Sequence, residues 1–200
     1  EAAEVGKPHL FLRLAGCPLR CHYCDTPKSW NRTEQWELHL KEQSLQFQNP
    51  APFGDLSAQL ERLALDWNWT VEESTLSITG GEPLVQADAL EEWLPAWPGR
   101  VVLETAGLWP ERLRTLLPFL DAVSLDWKLA STLRETEEAV SPRECVELLQ
   151  QSELPFWVKV VLTETVSEEE LDGALQELAQ LSPQCRTFLI PATPGPGHAS

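Results

Sequence analysis

Short apolar runs of strand character alternate along this chain with longer stretches whose apolar residues recur at helical spacing, and that alternation restricts the fold more than any single motif. HLFLRLAG (9–16), STLSITGG (74–81), RVVLETAG (100–107), DAVSLDWK (121–128), PFWVKVVLT (155–163) and RTFLIPATP (186–194) predict six strands. Between them, Leu56, Leu60, Leu63 and Trp67 share one helical face, and 86–97 and 110–118 have helical spacing. Two further helices begin at cap signals, Ser141-Pro142 with Glu144 and then Ser167. The Gln-rich stretch 33–50 gives no assignment. Strands and helices alternating over short links imply parallel strands joined by right-handed crossovers. The unusual residues gather where the strands end, at 17–24, 80–83, 104–107, 126–128 and 191–194. Loops converging on one rim favour a partial (β/α)6 barrel over an open doubly wound sheet.

Composition sets limits. With 200 residues and 42% hydrophobic content, one well-formed core is expected, and residues 1–200 read as a single domain. The net charge of -16 repels nucleic acid and anionic lipid surfaces, so neither is an expected partner. No apolar run reaches the roughly 18 residues that would span a membrane. Five unevenly spaced cysteines do not make a secreted disulfide scaffold, and a reducing, cytoplasmic setting fits them better. The absence of methionine, the start at Glu1 and the loop-like ending PGPGHAS suggest a window on a slightly longer protein.

GCPLRCHYCDT (16–26) packs Cys17, Cys21 and Cys24 into a C-x3-C-x2-C loop after the first strand. A structural zinc site wants four closed ligands. His22, between two of the cysteines, is hard to aim at the same ion, and Cys145 falls in a predicted helix expected on the far side of the fold from the strand ends. An iron-sulfur cubane with three protein ligands keeps one iron open for a substrate or cofactor. TGGEP (79–83) admits two accounts. Gly80 and Gly81 allow backbone to approach a ligand closely, with Glu82 free to accept hydrogen bonds from an ammonium, or they only make a turn between strand and helix. Arg13 sits on a predicted central strand four residues before the first thiol, where an unpaired charge is costly.

The cysteine loop with Tyr23 before its third thiol, followed by TGGEP, resembles the radical S-adenosylmethionine superfamily. HLFLRLAGCPLRCHYCDTPKSW, LETAG (103–107), SLDWKLAS (124–131) and KVVLT (159–163) narrow the likeness to the 7-carboxy-7-deazaguanine synthases. That resemblance implies a radical-type partial barrel and a 4Fe-4S cluster on Cys17, Cys21 and Cys24. It implies S-adenosyl-L-methionine contacts at Tyr23, Cys24, Asp25, Gly80, Gly81, Glu82, Asp126, Trp127, Lys128, Ile190, Pro191, Ala192 and Thr193. It also implies Mg2+ on Thr26, and substrate contacts at Glu1, Arg13 and Thr79. The implied reaction converts 6-carboxy-5,6,7,8-tetrahydropterin to 7-carboxy-7-deazaguanine by radical ring contraction with loss of ammonia, on the route to queuosine. No side chain is assigned as general acid or base. An electron donor such as flavodoxin, and homodimerisation, are further implications. Ala106 and Ala130 depart from residues common in the family. Two rival accounts are a glycyl-radical-enzyme activase of the same superfamily and a non-enzymatic, zinc-stabilised binding module. Trp67, Trp69, Trp93 and Trp97 fit core or interface packing.

Overall fold

The computed structural model describes residues 2–134 and 142–192. In chain order the elements are β1 (His9–Leu14), β2 (Gln35–His39), β3 (Ser44–Gln48), α1 (Phe53–Asp66), β4 (Thr75–Gly80), α2 (Ala87–Trp93), β5 (Arg100–Thr105), α3 (Pro110–Leu116), β6 (Ala122–Trp127), α4 (Arg143–Ser152), β7 (Phe156–Leu162), α5 (Glu168–Leu181) and β8 (Arg186–Pro191). Six strands form one all-parallel sheet in the order β1-β4-β5-β6-β7-β8. A doubly wound sheet reverses its strand order at a switch point. Here the order never reverses, so the sheet takes the progression of a partial α/β barrel, as the alternation predicts.

Strand side chains alternate between faces, and the two faces differ sharply. Leu76, Ile78, Leu103, Val123, Leu125, Val158 and Val160 are wholly buried and join Leu60 of α1, Leu90 of α2, Leu113 and Leu116 of α3, Leu149 of α4 and Leu178 of α5 in the main core. The opposite face carries polar residues such as Ser77, Ser124 and Lys159 between its strands. At its lower end Val102, Ala122 and Trp157 form a separate apolar cluster with Ala3 and Phe188 against it. The buried Glu4 carboxylate sits at the same end, 2.8 Å from Arg100 at the start of β5 and 2.8 Å from Lys7.

Local chemistry accounts for most element ends. The Ser167 hydroxyl accepts the Glu170 N–H at 3.2 Å, capping α5, and three glutamates in its first turn face the positive end of the helix. α2 and α3 are shorter than their helical spacing predicts, because each passes into a tight 3-10 turn (Leu94–Ala96, Leu117–Phe119) containing a proline that has no N–H to give. The cap expected at Ser141 lies outside the described residues, and α4 starts at Arg143 with Pro142 before it. Trp93 and Trp97 are buried in the core, 5.7 Å apart, whereas Trp67 is 46% exposed and stacks on Trp69 beneath Lys41.

The stretch left unassigned holds an antiparallel hairpin. Trp36 pairs with Phe47 and Leu38 with Leu45 across β2 and β3, and the two rings stack 4.4 Å apart. Its glutamines alternate with these apolar residues and take the solvent face. The hairpin adds a small second sheet against α1.

Candidate active site

The C-terminal strand ends meet around one cavity of about 270 Å3. Cys17, Cys21 and Cys24 line it together with Arg13, Tyr23, Asp25, Thr26, Thr79, Gly80, Gly81, Glu82, Asp126, Lys128, Ile190, Pro191 and Ala192. Nearly every residue singled out from the sequence therefore shares one lining. Glu1 and Thr193 lie outside the described residues. Trp127 is the exception: strand alternation that turns Asp126 and Lys128 inward turns its ring outward into the main core, where it is 6% exposed. Its side chain does not line the cavity. Arg13 needs correction, because β1 is an edge strand rather than a central one. Its guanidinium is exposed at the cavity, where water shares the cost of the charge.

The glycine pair has a structural cause. Gly81 N–H donates to the Leu14 carbonyl at 2.9 Å and Glu82 N–H to the Gly16 carbonyl at 2.8 Å, so the turn after β4 is sewn to the cysteine loop. A Cβ on Gly81 would meet the Gly16 oxygen at 2.3 Å, and one on Gly80, whose φ is +141°, would meet the Leu14 oxygen at 2.1 Å. Both positions demand glycine for backbone-to-backbone contact. The Glu82 carboxylate, 1% exposed, is engaged from three sides. It accepts from Leu84 N at 3.0 Å, Thr105 Oγ1 at 2.6 Å and Ala106 N at 2.7 Å. Burial pushes its carboxyl upward, and those three donors offset part of the shift. The side chain thus ties the turn after β4 to the end of β5.

Charge inside the cavity is organised by two lysines. Lys128 Nζ lies 3.0 Å from Asp126 and 3.0 Å from the Tyr23 hydroxyl. Lys159 lies 3.2 Å from Glu104 and 3.3 Å from the other Asp126 oxygen. Burial is the largest single influence on Lys128 and opposes its charge, but Asp126, Tyr23 and Cys21 together outweigh it and hold the ammonium well above its ordinary value. Asp126 is likewise pushed up by burial and held down overall by the two lysines. Glu104 fell in the rim group 104–107 without being named as a site residue, and Lys159 was not picked out; its signal was a lone lysine inside the apolar run WVKVVL.

The three thiols fit an iron-sulfur cluster. A four-iron cluster takes each thiolate on a different iron, so the thiols must share a cavity without converging on one point. They do share it, and Leu19, Ala106, Leu108 and Leu133 pack around them as an apolar collar. Among the described residues no set of three His, Cys, Asp or Glu side chains is arranged to hold a single ion. Burial raises the Cys17 thiol to about 11 and the Cys21 thiol in the same direction, so a metal bound there would have to displace protons from them. Thr26 Oγ1, beside the collar, donates to Asp25 at 3.2 Å and offers a hard oxygen of the kind Mg2+ prefers. Cys145 is not on the far side of the fold. Its Sγ donates to the Gly107 carbonyl at 3.2 Å, just below the rim, because the first turn of α4 tucks under the end of β5.

Comparison with known proteins agrees with this geometry. Residues 6–97 match the family model described as a 4Fe-4S single cluster domain. A solved structure of native anSMEcpe with bound AdoMet and Cp18Cys peptide superposes with a TM-score of 0.61 over 93% of this chain. The chain spans 51% of that protein's length at 16% identity, so the likeness speaks for the fold alone. The 7-carboxy-7-deazaguanine synthase of Geobacter sulfurreducens is 28% identical over 200 residues, covering 96% of this chain and 77% of the relative. That of Methanopyrus kandleri is 32% identical over 202 residues with the same two coverages. Identity at that level along nearly the whole length gives the assignment: the chain belongs to the 7-carboxy-7-deazaguanine synthase family.

Proposed function

We propose that this chain converts 6-carboxy-5,6,7,8-tetrahydropterin to 7-carboxy-7-deazaguanine, using a 4Fe-4S cluster, S-adenosyl-L-methionine and Mg2+. The observation that carries this reading is the single cavity shared by the three thiols, Arg13, Thr26, Thr79 and the Asp126–Lys128 pair. When bound, the cluster and S-adenosyl-L-methionine supply the radical chemistry. The chain's own residues supply binding, orientation and exclusion of water. Arg13, which has no ion-pair partner among the described residues, offers its fork to the substrate carboxylate, and Thr79 offers a hydroxyl at the end of β4. Thr26 contributes the protein's oxygen to Mg2+, whose role is that of a template. Tyr23, Asp126 and Lys128 form a rigid polar wall for the cofactor, with Gly80, Gly81 and Ile190–Ala192 as backbone walls. Leu19 and Leu133 keep water from the thiols. The enzyme acts as one catalytic domain, in the cytoplasm, as a homodimer, and receives electrons from a low-potential carrier such as flavodoxin.

The test is turnover under anaerobic conditions. Protein reconstituted with iron and sulfide, then reduced, is incubated with the carboxytetrahydropterin, S-adenosyl-L-methionine and Mg2+, and the deazapurine is sought by mass and absorbance. Failure to form it while the cluster and cofactor are bound overturns the proposal. Thr26→Ala is expected to lose most turnover and its dependence on Mg2+ while keeping the iron content of the parent.

A further inference from the structure

The last glutamate in the first turn of α5 serves another part of the molecule. In a capping box the cap serine accepts the N–H of the third helical residue, and the glutamate there reaches back to the N–H of the cap. α5 keeps the first half, with the Ser167 hydroxyl accepting the Glu170 N–H at 3.2 Å. In place of the second half, the Glu170 carboxylate is turned onto the loop after β6. One oxygen accepts the Ser131 N–H at 2.9 Å and the other accepts the Ser131 hydroxyl at 2.5 Å. The Thr165 hydroxyl, just before α5, donates to the Ser131 carbonyl at 3.3 Å. Every polar group of Ser131 is thus held from the N-terminal end of α5.

Ser131 lies in the 3-10 turn Ala130–Thr132, and that turn leads straight to the cysteine loop. The Thr132 carbonyl accepts the His22 N–H at 2.9 Å, and the Arg134 N–H donates to the Arg20 carbonyl at 2.9 Å. These two bonds bracket Cys21, which faces Leu133 in an antiparallel bridge. The Leu133 side chain packs into the apolar collar around the thiols. The cysteine loop starts from β1 at the sheet edge, and β4 and β5 stand between β1 and β6. On its near side the loop is sewn to the turn after β4; on its far side, at Cys21, it is held by residues 132–134. We infer that Glu170 is a positioning residue for the iron-sulfur cluster: through Ser131 it fixes the loop after β6, and that loop fixes the backbone of Cys21. The inference rests on the cluster reading above. Hydrogen bonds outside a metal site orient the groups that ligate it, and their loss loosens the metal. The cofactor wall shares the anchor, because Lys128, three residues before Ser131, donates to the Tyr23 hydroxyl at 3.0 Å.

Amide exchange and iron release test this on the full chain, as purified and after reconstitution. The variants are Glu170→Ala, Glu170→Gln, Ser131→Ala, Ser131→Thr and the Glu170→Ala, Ser131→Ala pair. Glu169→Gln is the control, since Glu169 is exposed on the same first turn and its loss removes the same charge from the helix end. In Glu170→Ala, exchange at His22 and Arg134, whose N–H groups make the two bracketing bonds, is expected to be at least tenfold faster, with β4 and β5 unchanged. The reconstituted variant is expected to lose iron to a chelator at least fivefold faster, and the g values of its reduced cluster to shift. Glu170→Gln keeps one acceptor oxygen and is expected to show the same changes in smaller size. Ser131→Thr keeps the hydroxyl and is expected, like Glu169→Gln, to stay within about twofold of the parent. The paired variant is expected to be no worse than Glu170→Ala, because both changes break one connection. Parent-like exchange at His22 and Arg134 in Glu170→Ala overturns the proposal. So does equal acceleration throughout β4 and β5, additive loss in the paired variant, or an equal effect of Glu169→Gln. If the parent itself takes up no cluster, the radical reading falls, and exchange in the purified chain still decides whether Glu170 governs the backbone at Cys21.

Discussion

Lys159 lies between two carboxylates in a place that water barely reaches: 7% of its side chain is exposed, with Glu104 at 3.2 Å and Asp126 at 3.3 Å. Removing one member of a buried ionic group leaves the others charged and unpaired, which costs about 3–5 kcal/mol. Lys159→Met is therefore expected to lower stability by about that amount in urea denaturation, and Lys159→Arg by much less. This network shows where reading residues in sequence order stops. The three cysteines were legible because they lie in one short loop, whereas Thr26 was singled out by the resemblance alone. Glu104, Asp126 and Lys159 come from three different strands, and only the parallel register that sets Asp126 opposite Lys159 brings them together. Cys145 was misjudged for a related reason. The cap signal around Pro142 identified α4 correctly, but which end of that helix touches the rim depends on packing, and its first turn carries the thiol under Gly107.

At the level of elements, the cysteine loop and the turn after β4 form one unit, since each supplies backbone groups to the other. Gly81→Ala drives a methyl group into the Gly16 and Ser29 carbonyl oxygens, at 2.3 and 2.7 Å. Overpacking of this kind costs about 1–3 kcal/mol. The variant is expected to melt lower and to retain severalfold less iron after reconstitution, measured by scanning calorimetry and iron analysis on the same preparation. Sequence reasoning found these glycines and gave them two accounts, room for a ligand or only a turn between strand and helix. The nearer neighbour is the loop that carries the thiols. The parallel strands and the five main helices were legible from periodicity. The β2–β3 hairpin was not, because its apolar residues are few and glutamines fill the positions between them, so composition resembled a loop while the alternation of Trp36, Leu38, Leu45 and Phe47 carried the strand signal.

At the scale of the whole molecule, acid stability follows from ion pairs at both ends of the barrel. Burial works to raise the Glu4 carboxyl, but hydrogen bonds from Arg100 and Lys7 outweigh it and hold the group below its ordinary value of 4.5. A carboxyl depressed in the folded state contributes stability that is complete above the unfolded value and is lost as pH falls through the folded one. Asp126 acts with the same sign. The stability difference between the parent and Glu4→Gln is thus expected to be constant at neutral pH and to shrink below about pH 4.5, read from urea midpoints across the acid range. Among the described residues, no helix is long and apolar enough to cross a membrane. The same lower end has a kinetic consequence. Ala3, Val102, Ala122, Trp157 and Phe188 cork the barrel there, so the described residues form a vessel with its doorway at the strand ends. Substrate and product are therefore expected to share the entrance at the strand ends, away from the corked end.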